Sequence, residues 1–443
     1  MQSAKLTITK YLPVLILAIG FQMAAFSQEN SPYSRYGLGD LTPNHNILTR
    51  GMGGISAGFS SSSAVNFVNP ATYADLRVVV FDIGAEVDNK TLKSISPSQK
   101  FTSTNLGISY LQLGVPIKMK KANKKDIFWG VNLGLKPISK INYKILKNSR
   151  IPGVDTLETR YDGTGGLNEV YLGTGVKIKN FSIGFNVGYQ FGNKDYSTKL
   201  SFSNDTVDYY QSSTGFKTNF SSVFINSGVQ YKILLKNKSA LRIGAYGNLK
   251  QKMNATQEQT VQTVTYDAEN IQYRIDSVYT NSSTGKVVYP ATVGLGFTYQ
   301  DYKHWLLGAD FETTNWKEYR FFNKTDLVQN SWKMRIGAEY LPATENKTSL
   351  KKYFSFVRYR FGFHYGTDYV KVTNNLPDYA FTFGAGFPLK LRRSFYETQS
   401  SILNTAIEIG GRGDKKSNVR ESTFKISIGL SLADIWFRTA KYE

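Results

Sequence analysis

The chain has 443 residues, 54 Lys and Arg against 33 Asp and Glu, a formal charge of +21, three histidines and no cysteine. Without cysteine there is no disulfide scaffold, thiolate metal site, cysteine nucleophile or cysteine-borne lipid anchor. A mean hydropathy of −0.31 and a single long apolar run exclude a helical membrane protein, while 28 Phe, 29 Tyr and 38 Gly suit many strands with one apolar face.

In chain order, residues 1–27 read as a cleaved signal peptide. Lys5 and Lys10 precede the apolar stretch Tyr11–Phe26, and Ala25-Phe26-Ser27 forms a small-residue exit. The alternative, a membrane anchor, is opposed by the shortness of the run and by Pro13, Gly20 and Gln22 within it. Removal of the signal lowers the charge from +21 to +19.

Residues 28–77 do not alternate. Gly51, Gly53, Gly54 and Gly58 lie close together there, followed by Ser60–Ser63, and Asn69-Pro70-Ala71 has the form of a capped helix start.

From residue 78 onward the chain repeats strand and turn. In Phe181–Gly192 the odd positions are Phe, Ile, Phe, Val, Tyr and Phe, and the even ones are small or polar. Fourteen such strands are predicted, roughly at 78–88, 105–118, 127–139, 166–179, 181–192, 216–235, 239–255, 286–301, 303–316, 328–341, 353–370, 378–391, 401–413 and 421–434. One apolar face is compatible with a soluble sheet over a core. Length decides against it, because many of these strands reach the roughly 9–11 residues of a tilted transmembrane strand. The connections alternate in kind. Short inward turns are expected at 119–126, 180, 236–238, 301–303, 342–352 and 392–400, and the four longest connections, 89–104, 140–165, 193–215 and 256–285, all point outward. The resulting expectation is an all-β protein: a monomeric 14-stranded antiparallel transmembrane barrel, porin-like, in a Gram-negative outer membrane and in contact with its lipid.

Even positions predict what faces the lumen. Glycines recur there at 184, 188, 244, 294, 296, 308, 362, 384 and 386, together with the charges Arg242, Asp310, Glu312, Arg335, Glu339, Arg358, Arg360 and Glu408. Both signs occur, so these groups can pair and hold a plug. Basic residues gather in the inward turns, which suits solvated turn charge or attraction to an acidic partner; nucleic acid is excluded for an exported barrel. In the third strand Pro137 follows Gly134. Proline cannot donate to a ladder, so it leaves a bulge or gap unless it lies beyond the membrane.

Arg50-Gly51-Met52-Gly53-Gly54, Ala64 and Asn69-Pro70-Ala71 ahead of fourteen strands resemble the FadL/TodX family of outer-membrane transporters for hydrophobic compounds. The opening Ser31-Pro32-Tyr33-Ser34-Arg35-Tyr36-Gly37-Leu38-Gly39 and the ending Asp434-Ile435-Trp436-Phe437 with Lys441-Tyr442 resemble its Bacteroidetes branch. The resemblance implies that 28–77 is a hatch inside the 78–443 barrel, with Arg50, Gly51, Gly53, Gly54, Asn69, Pro70 and Ala71 as its motif. It also implies a lateral opening at the third strand, for which Gly134 and Pro137 are the candidates. The function it implies is passive uptake of a hydrophobic small-molecule ligand, such as a long-chain fatty acid or an aromatic hydrocarbon, by hatch rearrangement and lateral release. Because relatives include a secretion-system subunit, the alternative is a barrel that docks a periplasmic or outer-membrane protein partner in a secretion or assembly complex and transports nothing. No enzyme, cofactor, metal or catalytic residue is expected: His45, His304 and His364 are scattered in sequence, and Gly163-Thr164-Gly165-Gly166 lacks the ending of a phosphate loop.

Overall fold

In this computed structural model, residues 31–434 are described apart from 95–97, 118–125, 154, 203–209, 237–238, 267–271, 344–352, 373, 390–399, 414–416 and 418. The signal-peptide expectation therefore falls outside the described residues, as do most of the basic inward turns. Fourteen antiparallel strands close on themselves. They are β1 Val79–Ser94, β2 Gln99–Ile117, β3 Ile127–Arg150, β4 Thr156–Ile178, β5 Phe181–Phe202 and β6 Gln211–Leu234. Next come β7, Ala240–Asn248 continued by Gln251–Tyr266, and β8, Gln272–Tyr289 continued by Thr292–Gln300. The rest are β9 Trp305–Thr314, β10 Ser331–Tyr340, β11 Arg358–Thr367, β12 Pro377–Pro388, β13 Ser400–Arg412 and β14 Val419–Asp434. Closure comes from β14 on β1, running from Val419↔Ser94 to Asp434↔Val79.

Burial is inverted relative to a soluble sheet. On β5, Ile183 is 52% exposed and Phe185 49%, whereas Ser182 and Asn186 are 3% and 1% exposed. The same holds around the ring, with Leu172, Ile225, Leu295, Met334, Phe381 and Ile428 all outward. Such a belt is stable only against hydrocarbon, and a closed barrel leaves no edge unpaired within it. Among the described residues no helix is long and apolar enough to cross a membrane; the strands cross it.

The expected outward loops are mostly strand. Three pairs, β3 with β4, β5 with β6 and β7 with β8, continue well past the apolar belt, so that β3 ends at Arg150 and β4 begins at Thr156. Their extensions are richer in polar residues and less regular, as in Asp195-Tyr196-Ser197-Thr198-Lys199 and at the adjacent Ile145-Leu146 of β3. That removes the alternation by which a sequence reveals a strand, while the ladder itself continues.

Residues 31–77 fill the lumen with little regular structure: a 3₁₀ turn Pro32–Arg35, the strand pair Asp40–Leu41, a helical turn Ile47–Arg50 and a 3₁₀ helix Pro70–Asp75. Their side chains are largely buried against the inner wall. Asn46 caps the helical turn, its Oδ1 accepting from the Thr49 amide at 2.9 Å. Asn69 caps the second segment with Pro70 in the first turn, the local geometry expected of Asn-Pro.

Candidate functional site

The hatch is seated by backbone contact and bolted by charge. Where hatch backbone meets wall backbone, glycine is required on the wall: a β-carbon at Gly244 would overlap the Ala57 carbonyl, and one at Gly362 would overlap the amide of Gly53. Gly53 itself has φ +67 and lies against the carbonyls of Ile336 and Phe363. Gly51 packs on Gly384, and Gly54, at φ +87, turns beside His45. Asn69 donates to Ala57 O at 2.8 Å and Val229 O at 3.2 Å, and its Oδ1 accepts from Ala71 N at 3.2 Å.

Of the expected lumen charges, two reach the hatch. Asp310 accepts from the amides of Ser56 at 2.5 Å and Ala57 at 2.8 Å, and Arg242 donates to Ser60 O at 3.3 Å and lies 3.8 Å from Asp75. The others pair along the wall: Arg335 with Glu312 at 3.0 Å, and both Arg358 and Arg360 with Glu339 at 2.7 Å. Glu408 lines a central cavity with Lys425, His364 and His45. The structure thus brings two of the scattered histidines to one cavity, but among the described residues neither ring receives a serine hydroxyl.

Three further bolts join partners that the sequence did not connect. Arg50, the motif arginine, forms a buried ion pair with Glu86 and donates to the carbonyls of His45 and Pro43 at 2.9 Å each. Asp40 bridges Arg412 at 2.8 Å and Lys90 at 2.9 Å. Asp75 holds Lys177 at 2.6 Å and accepts from Ser60 at 2.5 Å. The run Asp82, Gly84, Glu86, Asp88, Lys90 carried a signal for part of this: the inward alternation continues beyond the expected end of the first strand.

Burial raises the Asp75 carboxyl, but Arg242 and Lys177 outweigh it and hold it below the ordinary carboxylate range. A depressed folded pKa gives stability that is complete above the unfolded value, about 3.9, and is lost as pH falls through the folded one. The thermal midpoint of wild type should therefore exceed that of Asp75→Asn at pH 7, and the gap should narrow below about pH 4. A gap independent of pH would show that the pairing with Lys177 and Arg242 contributes nothing.

Between β2 and β3 the wall ladder is short. β2 pairs with β3 only from Leu111↔Leu135 to Ile117↔Trp129. Beyond that, Gln99–Tyr110 pair with β1 alone, while β3 bulges between Pro137 and Ser139 and continues on β4. Pro137 therefore sits just past the last β2–β3 pair, and Gly134 faces inward against Gln112 and Tyr171. The hatch takes up the freed β3 edge: Asp40↔Lys140 and Leu41↔Ser139 pair, and Thr42 bonds Ile138 O at 2.9 Å and Pro137 O at 2.7 Å. Across the gap, β2 presents Leu106 and Ile108 to the outside, 52% and 66% exposed.

The outer mouth is roofed by aromatic loop residues on the hatch, with Trp316 stacked on Tyr369 at 4.2 Å and Tyr319 donating to Gly37 O at 3.0 Å. Beside this roof lies an apolar pocket of about 140 Å³ formed by Pro32, Tyr33, Tyr36, Ile145 of β3, Val372 and Leu376. The central cavity beneath, about 280 Å³, is lined by ion-paired groups such as Arg50, Arg335 and Arg412 interleaved with apolar ones such as Val68, Ile138 and Trp332.

A family model named BamG matches residues 7–443. The chain belongs to the BamG family. No curated protein matches it. Solved structures share the fold of this BamG-family barrel. The Pseudomonas putida toluene transporter TodX is 16% identical over 90% of this chain and 99% of that one, with a TM-score of 0.55. The Ralstonia pickettii toluene transporter TbuX is 15% identical over 88% and 98%, at 0.53. A Pseudomonas aeruginosa FadL homologue is 13% identical over 90% and 99%, at 0.55. The FadL/TodX-like barrel expected from the motif and strand count is thus the fold observed.

Proposed function

We propose that this BamG-family barrel is an outer-membrane channel for passive entry of small apolar molecules, released sideways through the seam between β2 and β3. The observation that carries this reading is the seam: paired strands part at Leu111↔Leu135 within the apolar belt. The apolar pocket at Ile145, further out along the same β3 edge, supplies a capture site. Its volume, about 140 Å³, is near that of a roughly 150 Å³ cavity known to admit benzene, which favours a one-ring aromatic over a long-chain acid. Two of the similar solved structures are toluene transporters, in keeping with that size. The ion-paired groups in the central cavity interrupt any greasy axial tunnel, so the route runs along the seam. The hatch segment Asp40–Thr42, which covers the β3 edge, is the part that must shift.

Uptake of labelled toluene into liposomes tests this. Pro137→Val restores an amide donor beside the gap and should cut flux several-fold, whereas deletion of residues 28–77 should raise it. Equal flux in wild type and both variants would overturn the proposal.

A second reading, a barrel that docks partners in a secretion or assembly complex and carries nothing, is favoured by the buried bolts Arg50–Glu86 and Asp40–Arg412, which hold the hatch. Mild extraction from native membranes that yields a stable large complex, together with no toluene flux, would select it.

A further inference from the structure

We propose that the periplasmic mouth of the barrel is a docking site for an acidic, extended segment of a periplasmic protein. The mouth holds a cavity of about 310 Å³ lined by Arg77, Lys177, Lys232, Arg242, Arg358 and Arg360, against only Asp75 and Glu339. Each of those carboxylates already faces two cations: Asp75 lies 2.6 Å from Lys177 and 3.8 Å from Arg242, and Glu339 lies 2.7 Å from both Arg358 and Arg360. Among the described residues Arg77 and Lys232 make no ion pair within 4 Å; Arg77 donates to the Ala74 and Leu76 carbonyls at 3.0 and 3.1 Å, and both cations also lie over ring faces. The Arg77 guanidinium lies 4.0 Å from the Phe128 ring centre, and the Lys232 ammonium 5.5 Å from that of Tyr302. Ser60–Ser63 add hydroxyls to the same wall.

Four uncompensated positive charges in a concave mouth with low-dielectric walls focus a positive potential on whatever enters. Their arrangement selects the occupant. Lys177 stands on β4, Lys232 on β6, Arg242 on β7 and Arg358 on β11, so the charge is spread round the ring and no single phosphate can meet it all. The strand wall separates the mouth from the bilayer, which keeps lipid headgroups out. An extended chain of Asp and Glu side chains can meet cations set that far apart round the ring. The inference stands apart from whatever crosses the seam.

The test is titration of the full-length protein in nanodiscs with a labelled oligo-glutamate peptide, with a Gly-Ser peptide and inorganic phosphate as controls. The oligo-glutamate should bind, weaken steeply with salt, and bind at least about tenfold more weakly to Lys232→Gln/Arg358→Gln, which removes two charges from the focused field. Lys236→Gln, outside the cavity, should change binding less. Lys232→Gln alone, which removes no hatch contact, guards against loss of fold. Equal binding by all variants, equal binding of the Gly-Ser peptide, or complete displacement by phosphate at matched charge would each overturn the proposal. None of these readouts involves transport, so this docking can fail while the uptake reading stands, and the reverse.

Discussion

Replacing Arg50 by alanine should unseat the hatch and lower the thermal midpoint of the folded barrel more than any other single change in residues 31–77. The guanidinium is 3% exposed, its partner Glu86 5%, and its remaining nitrogens serve the His45 and Pro43 carbonyls. Truncation leaves the Glu86 carboxylate buried, with the Ser109 hydroxyl at 3.2 Å, Lys140 at 3.9 Å and the more distant Lys425 as weaker counterparts. Removing one member of such a buried pair costs about 3–5 kcal/mol, because the survivor stays buried and uncompensated. Removing both is cheaper, so Arg50→Met/Glu86→Gln should recover a large part of the loss. Heat-dependent gel migration gives the midpoint. An unchanged midpoint in Arg50→Ala would mean that the hatch is held by shape alone.

The double change Gly244→Val/Gly362→Val should have the opposite character: an intact wall without its stopper. The added side chains would overlap the carbonyl of Ala57 and the amide of Gly53, which are backbone atoms and cannot rotate away. The wall is expected to tolerate the change, since valine suits a strand better than glycine. The hatch then has no seat at either point. The expected result is a barrel that still migrates as folded but conducts ions in planar bilayers and exposes its N-terminal segment to protease. A closed, protease-resistant double variant would refute the view that these two positions seat the hatch.

The lettering of the wall was largely readable. Phe181 to Phe191 and Trp332 to Tyr340 alternate so regularly that which side meets lipid follows from the residues alone, and the fourteen strands sit where that rhythm places them. What failed was length. Lys140–Arg150 and Asn193–Phe202 read as loop because their apolar residues are too few and, at Ile145-Leu146, too irregular to sustain an alternation, yet each has a partner strand. Pro137 was readable as a lost donor. That pairing with β2 ends at Leu135, and that Asp40 and Leu41 of the hatch take over the vacated edge, was not.

The amino-acid sequence by itself thus determined the strand count, the parity of the connections and the inward or outward direction of nearly every side chain. Those properties follow from a two-residue repeat that each strand carries locally. Only the tertiary structure decided that Arg50 meets Glu86, that Asp75 meets Lys177, that Asp40 meets Arg412 and that β2 and β3 part at the seam. Such pairs join residues 36 to 372 positions apart. A periodic pattern fixes which way a side chain points, and closure of the ring fixes what it finds there.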